Sequence, residues 1–216
     1  MSAFSACRFI VVDVETTGSS PRGGDRVTEV AAVAVEAGGV EDVFQSLVNP
    51  GRPIPSFITG LTGISNAMVA DAPAFRDIAD DLARVLEGRT FVAHNAVFDW
   101  GFLAMEFARA DRAAALAGWP LCTVRLSRRL LAHLPRRNLD AVAWHYGITI
   151  ESRHRALGDA RATAQVLLGL LRDAEHRGVD SLEALQGWLA ARTSVARKRR
   201  SAMPRPVDDR GLGPGA

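Results

Sequence analysis

Apolar residues in the first quarter of the chain fall in short β-branched runs separated by turn-forming residues. Arg8-Phe-Ile-Val-Val-Asp-Val-Glu15 predicts a strand buried on both faces. Gly18, Pro21, Gly23 and Gly24 then predict a loop from Thr16 to Asp25. Val27 to Val35 predicts a second strand, Gly38-Gly39 a turn and Val40 to Val48 a third strand, so the opening reads as an antiparallel meander. Asn49-Pro50-Gly51, Pro53 and Pro55 mark an irregular crossing. After Asp71-Ala-Pro73 the period changes: Phe75, Ile78, Ala79, Leu82, Val85 and Leu86 share one helical face. Phe91 to Ala93 predicts a short strand, Val97 to Ala108 a helix and Leu121 to Val124 a fifth strand. Helices are expected at Arg125 to His133, Asn138 to Tyr146, Leu157 to Arg172 and Ser181 to Arg192. Three strands followed by alternating helix and strand indicate an α/β fold built on a mixed five-stranded sheet.

Composition bounds this picture. The chain has 216 residues, 48% of them apolar, enough for one domain with a buried core. Its formal charge is +2, but seven of the 26 basic residues and two of the 24 acidic ones fall from Arg192 onward. The rest of the chain is therefore three charges negative, and the positive excess belongs to the tail. The expected organisation is a domain at 1–192, with its chemistry in about 7–175, and a basic, disordered tail at 193–216, poor in bulky apolar residues. The longest apolar run, Val30 to Val35, is far too short to span a membrane. Met1 to Cys7 lacks the pattern of a signal peptide. Cys7 and Cys122 form no CxxC pair, which argues against a disulfide scaffold or a cysteine zinc site and suits a cytoplasmic protein.

Three segments carry candidate chemistry. Asp13 and Glu15 end a buried strand two residues apart, so both project to one face, where their repulsion is costly unless a cation binds. His94-Asn-Ala-Val-Phe-Asp99 places a strand end before a helix with Asp99 in its first turn. His154-Arg-Ala-Leu-Gly-Asp159 places a loop histidine before a helix whose glycine and alanines allow close approach to a sheet. Each has an ordinary explanation: a solvated strand end, or an aspartate favoured by the helix dipole. Together they place four carboxylates and a histidine at element ends able to meet at one sheet edge. Carboxylates without cysteine favour Mg²⁺ or Mn²⁺, and two such ions suit phosphodiester displacement.

Asp13-Val-Glu15-Thr-Thr-Gly18, His94-Asn-Ala-x-Phe-Asp99-x-x-Phe-Leu103 and His154-x-Ala-x-x-Asp159-Ala160 resemble the three motifs of the DEDDh 3′-5′ exonucleases. Leu61-Thr-Gly-Ile-Ser65 and Cys122-Thr-Val-Arg-Leu-Ser-Arg-Arg-Leu-Leu131 resemble the branch that holds the proofreading epsilon subunit of bacterial DNA polymerase III and its stand-alone relatives. The resemblance implies a ribonuclease-H-like fold and hydrolysis of the terminal phosphodiester to release nucleoside 5′-monophosphates. It implies Asp13, Glu15 and Asp159 as ligands of a first Mg²⁺ or Mn²⁺ ion, with Asp13 bridging to a second that Asp99 supports. His154 would take a proton from the attacking water, and Thr16 and Asn95 would contact the terminal nucleotide. The implied partners are nucleic acid 3′ ends, DNA rather than RNA, and a DNA polymerase. A 3′-5′ exoribonuclease of the same superfamily, or a non-catalytic polymerase accessory module, are the alternatives.

Arg125, Arg128, Arg129, Arg136 and Arg137 are candidates for phosphate contacts or a solvated helix face. Glu29 reads as structural, and Trp100, Trp119, Trp144 and Trp188 as core residues rather than base-stacking platforms. Arg197-Lys-Arg-Arg200 reads either as a loose nucleic acid contact or as a solubilising tail.

Overall fold

The computed structural model describes residues 3–201, with side chains described to residue 191. Five strands form one mixed sheet: β1 (Arg8–Thr16), β2 (Val27–Glu36), β3 (Gly39–Leu47), β4 (Thr90–Ala93) and β5 (Leu121–Cys122), ordered β3-β2-β1-β4-β5. The meander is antiparallel, and β4 and β5 add parallel to β1. The helices are α1 (Ser56–Thr62), α2 (Asn66–Val69), α3 (Phe75–Leu86), α4 (Ala96–Arg109), α5 (Thr123–Leu130), α6 (Leu139–His145), α7 (Ala156–Glu175) and α8 (Leu182–Ser201).

The alternation along β1 sorts the core into two layers. Phe9 and Val11 face a cluster that includes Leu126, Val142, Ala160 and Leu167 of α5, α6 and α7. Ile10, Val12 and Val14 face the opposite cluster, with Ile78 and Leu82 of α3 and Phe102 and Leu103 of α4. Asp13 and Glu15 continue the odd-numbered series, so they point to the side covered by α7. That helix packs closely on several sides because Gly158, Ala160, Ala162 and Ala164 are small and buried.

The structure corrects several sequence expectations. The fifth strand stops at Cys122, and Thr123 begins α5. Thr123 Oγ1 turns back to the Ala93 carbonyl at 3.4 Å, so a side-chain contact stands where another ladder bond would be. Helix α5 ends at Leu130, short of His133, because Arg137 donates to the carbonyls of Leu131 and Ala132 at 3.1 and 2.9 Å and fixes a loop there. Helices α1 and α2 lie where no element was assigned. They form a small third cluster of Ile54, Ile58, Ile64 and Val69. Trp144 is 81% exposed rather than in the core: Leu139, Val142 and Ala143 take the inward face of α6 and leave Trp144 outside. Helix α8 runs past the expected end at Arg192 to Ser201. The Arg197–Arg200 side chains and residues 202–216 of the basic tail lie outside the described residues.

Candidate active site

The site lies at the C-terminal end of β1. Carboxylate oxygens of Asp13, Glu15 and Asp159 lie within 4.8 Å of one another. Strand alternation supplies the first two. The third comes from the first turn of α7. Asp99, 3% exposed, arrives from the other layer on the first turn of α4. Its Oδ1 accepts a hydrogen bond from the Val14 amide at 3.2 Å, so it sits behind the strand segment that carries Asp13 and Glu15.

Two buried glutamates hold the helices that deliver these groups. Glu106 of α4, 1% exposed, binds Arg26 bidentately at 2.6 and 2.9 Å and accepts the Val27 amide at 3.4 Å, which ties α4 to the start of β2. Glu29 of β2, fully buried, accepts two bonds from Arg155 at 2.7 and 3.0 Å and one from the Ala156 amide at 2.9 Å. Sequence reading missed Glu106 and left Glu29 without a contact. The available signal was a carboxylate inside an apolar period, the same anomaly that exposed Asp13 and Glu15.

His154 lies in the loop before α7 in a left-handed conformation, φ 61°. Its amide donates to Asp159 Oδ2 at 3.3 Å, and Arg153 pairs with the same oxygen and with Asp140. Asp159 Oδ1 is buried without a hydrogen-bond partner. His94 is held between Thr123 Oγ1 at 2.8 Å and the Arg137 carbonyl at 3.0 Å, and its burial pulls its pKa down to about 4. Neutral His94 therefore acts as a brace that joins the end of β4 to α5 and the loop before α6.

Thr16 is buried and donates its hydroxyl to the Gly18 carbonyl at 2.5 Å, which shapes the loop after β1. Asn95 is exposed at the start of α4 with φ 75°, and its side chain caps nothing. Of the candidate phosphate-binding arginines, Arg129 stacks 4.0 Å over Trp188, Arg125 lies 6.0 Å over Trp119, and Arg137 is spent on backbone carbonyls. Arg128 and Arg136 are exposed.

Electrostatics mark the cluster as a site for positive charge. Burial first, then the charges of Asp99, Glu15 and Asp159, raise the Asp13 pKa well above the ordinary range. Burial, with Asp159 and Glu29 nearby, lifts Glu15 to about 7. Burial lifts Asp99 to about 8 against the opposing pull of its amide hydrogen bonds. Asp159 is raised by burial against the pull of Arg153. Four crowded carboxylates cannot all ionise at neutral pH without a cation. An all-oxygen donor set, with one Asp159 oxygen unpaired, fits a hard divalent ion.

Comparison with known proteins identifies the family. Residues 10–167 match the family described as Exonuclease (RNase_T). The chain is 42% identical over 184 residues to a DNA polymerase III subunit epsilon-like protein of Rhodobacter capsulatus, covering 82% of this chain and 25% of that protein. It is 36% identical over 183 residues to the 3′-5′ exonuclease DinG of Bacillus subtilis, covering 83% of this chain and 19% of that one. It thus spans only a quarter or less of the length of these two relatives. A solved structure of Exonuclease X in complex with 5′ overhanging duplex DNA superposes with a TM-score of 0.62 at 27% identity, over 77% of this chain and 93% of that one. With its mixed five-stranded sheet, its ribonuclease-H-like layers and its acidic cluster at the end of β1, this chain belongs to the exonuclease family.

Proposed function

We propose that this chain is a divalent-metal-dependent 3′-5′ exonuclease that removes terminal nucleotides from DNA as nucleoside 5′-monophosphates. The observation that carries this reading is the convergence of Asp13, Glu15 and Asp159 within 4.8 Å, backed by Asp99 and bordered by the His154 loop. Membership in the exonuclease family supports it, as does the family's dependence on divalent metals. The complex of Exonuclease X with DNA supports DNA as the strand this chain shortens.

Asp13, Glu15 and Asp159 would hold one Mg²⁺ or Mn²⁺ ion, and Asp13 with Asp99 would support a second. When bound, the two ions supply positive charge at the reacting phosphate and at the departing 3′ oxygen. His154 accepts the proton that the attacking water loses as its oxygen bonds to phosphorus. The bond from phosphorus to the upstream 3′ oxygen breaks, and its electron pair stays on that oxygen, which takes a proton from solvent to become a 3′ hydroxyl. The phosphate leaves on the released nucleotide. A histidine suits this exchange because a neutral imidazole nitrogen offers a lone pair that can take up a proton. Asn95 and the loop shaped by Thr16 border the place for the terminal nucleotide. The epsilon-like relative supports proofreading beside a DNA polymerase as the setting.

The test is purified protein on end-labelled single-stranded DNA, mismatched duplex and RNA, with Mg²⁺ or Mn²⁺. Stepwise shortening from the 3′ end, fastest on DNA, is expected. Faster shortening of RNA would move the assignment to an exoribonuclease. Undiminished cleavage in excess EDTA would exclude the metal-dependent reading.

A further inference from the structure

Glu29 is buried completely near the start of β2 and is ion-paired with Arg155. It is the cross-strand register partner of Glu15. Its two oxygens are fully engaged. Oε1 accepts Arg155 Nη2 at 2.7 Å and Gln45 Nε2 at 3.2 Å, and Oε2 accepts Arg155 Nε at 3.0 Å and the Ala156 amide at 2.9 Å. Three of these four bonds come from the two residues that follow His154. A buried ion pair is a poor source of net stability, because desolvation offsets the attraction. A bidentate guanidinium–carboxylate pair does fix direction, since the fork matches the carboxylate in one plane.

The segment held in this way is strained. Ser152 and His154 are both non-glycine residues in the left-handed region, at φ 54° and 61°. Such conformations persist where the surroundings over-determine them. The other restraints come from the site side of the loop: the His154 amide bonds Asp159, and Arg153 bridges Asp159 to Asp140. Beneath the loop, Gly158 leaves room for the Glu151 carbonyl, which would lie 1.9 Å from an added Cβ. Glu29 is the anchor on the opposite side, and it is bound to a strand rather than to another loop.

We infer that Glu29 is a positioning residue for the hydrolytic reaction: through the Arg155 fork and the Ala156 amide it holds the 152–155 loop in the conformation that presents His154 to the carboxylate cluster. The inference rests on the proposed reading of His154 as the proton acceptor. Glu29 acts through His154 and touches neither substrate nor water.

A cycle of variants separates this role from a general contribution to folding. Single-turnover rates on single-stranded DNA at saturating Mn²⁺ are to be compared for the parent, Glu29→Gln, His154→Ala and the double variant. Glu29→Gln is expected to slow the parent roughly 10–100-fold, the scale of a misplaced catalytic group, with the KM for the strand unchanged. In the His154→Ala background the same substitution is expected to change the residual rate little, because residues acting as one unit are not additive. An equal fractional loss in both backgrounds would overturn the inference, as would a parent rate unaffected by Glu29→Gln. Should Glu29→Gln fail to fold, Arg155→Lys replaces it in the cycle. It keeps the charge, loses the fork and is expected to show the same dependence on His154; equal losses in both backgrounds would again overturn the inference. A His154→Ala variant with the parent rate would remove the reading of His154 as base and the inference with it, before any Glu29 variant is measured.

Discussion

The amide of Val14 donates to Oδ1 of Asp99 across 85 positions of chain. The bond exists because the parallel neighbour of β1 is short: its register with β4 ends at the pair Val11 and Val92. Beyond that pair the β4-facing edge of β1 has no strand beside it, and a buried amide there needs another acceptor. Asp99 provides it. One oxygen therefore completes the sheet edge while the carboxylate lies behind Asp13 and Glu15, which joins the fold to the electrostatics of the site.

Binding of a divalent ion should release protons. Asp13, Glu15 and Asp99 have raised pKa values, with Glu15 near 7 and Asp99 near 8, so part of the cluster is protonated at pH 6.5. Metal ligands must be deprotonated. Calorimetric titration with Mn²⁺ in two buffers of different ionisation enthalpy should therefore show buffer-dependent heats at pH 6.5 that shrink by pH 9. Buffer-independent heats at pH 6.5 would mean that the cluster is already ionised.

The metal-free protein should lose stability as pH rises from about 6.5 to 8. In that window the folded state holds protons on Glu15 and Asp99 that the unfolded chain has already released, so the slope of stability against pH is negative. His94 works in the opposite direction but only below its ordinary value of 6.5, because its folded pKa is depressed to about 4. Thermal melts in EDTA should show a falling Tm across the window. Mn²⁺ should flatten the slope, and Asp99→Asn should reduce it. A Tm that rises with pH in EDTA would contradict the site electrostatics.

Replacing the carboxylates and replacing the histidine should give different losses. Asp13→Asn and Asp159→Asn should lower both metal affinity and turnover, with a loss of at least roughly 10²–10³-fold in kcat, the scale of one removed preorganised electrostatic group. His154→Asn tolerates the positive φ and should fold like the parent. It should bind Mn²⁺ with unchanged affinity and lose roughly 10²–10⁴-fold in rate, the usual contribution of a general base. Metal titration beside single-turnover kinetics separates the two classes. Parent turnover in Asp159→Asn would mean that the site lies elsewhere.

Gly158→Ala should damage the site without touching a charged group. The new Cβ would meet the Glu151 carbonyl at 1.9 Å and the Ser152 carbonyl at 2.7 Å, both backbone atoms. The 151–154 loop must then lift from α7. Overpacking of this kind costs about 1–3 kcal/mol. Because the displaced loop carries His154, the rate should fall even at temperatures where the variant is folded. Urea unfolding paired with turnover checks both parts, and full activity would show that the loop position is unimportant.

The sequence by itself determined the residue types and the period. Alternation along Arg8–Thr16 placed Asp13 and Glu15 on one face, and the three motif segments named Asp99, His154 and Asp159. The strand and helix order followed from changes in hydrophobic period, which local backbone geometry imposes on any chain. Tertiary structure decided what local pattern does not encode. The packing of α7 on the Leu139, Val142 and Ala143 side of α6 decides that Trp144, a large apolar residue, stays exposed. Helices α1 and α2 are short and exist through their own small cluster, without a long apolar stripe to announce them. The length of β5 depends on where β4 ends, because a ladder bond needs a partner strand. Glu29 and Glu106 stand out in the sequence only as carboxylates inside apolar periods, with nothing there to name what they bind. Their partners, Arg155 and Arg26, lie 126 and 80 positions away, and only folding brings such charges close enough to pair.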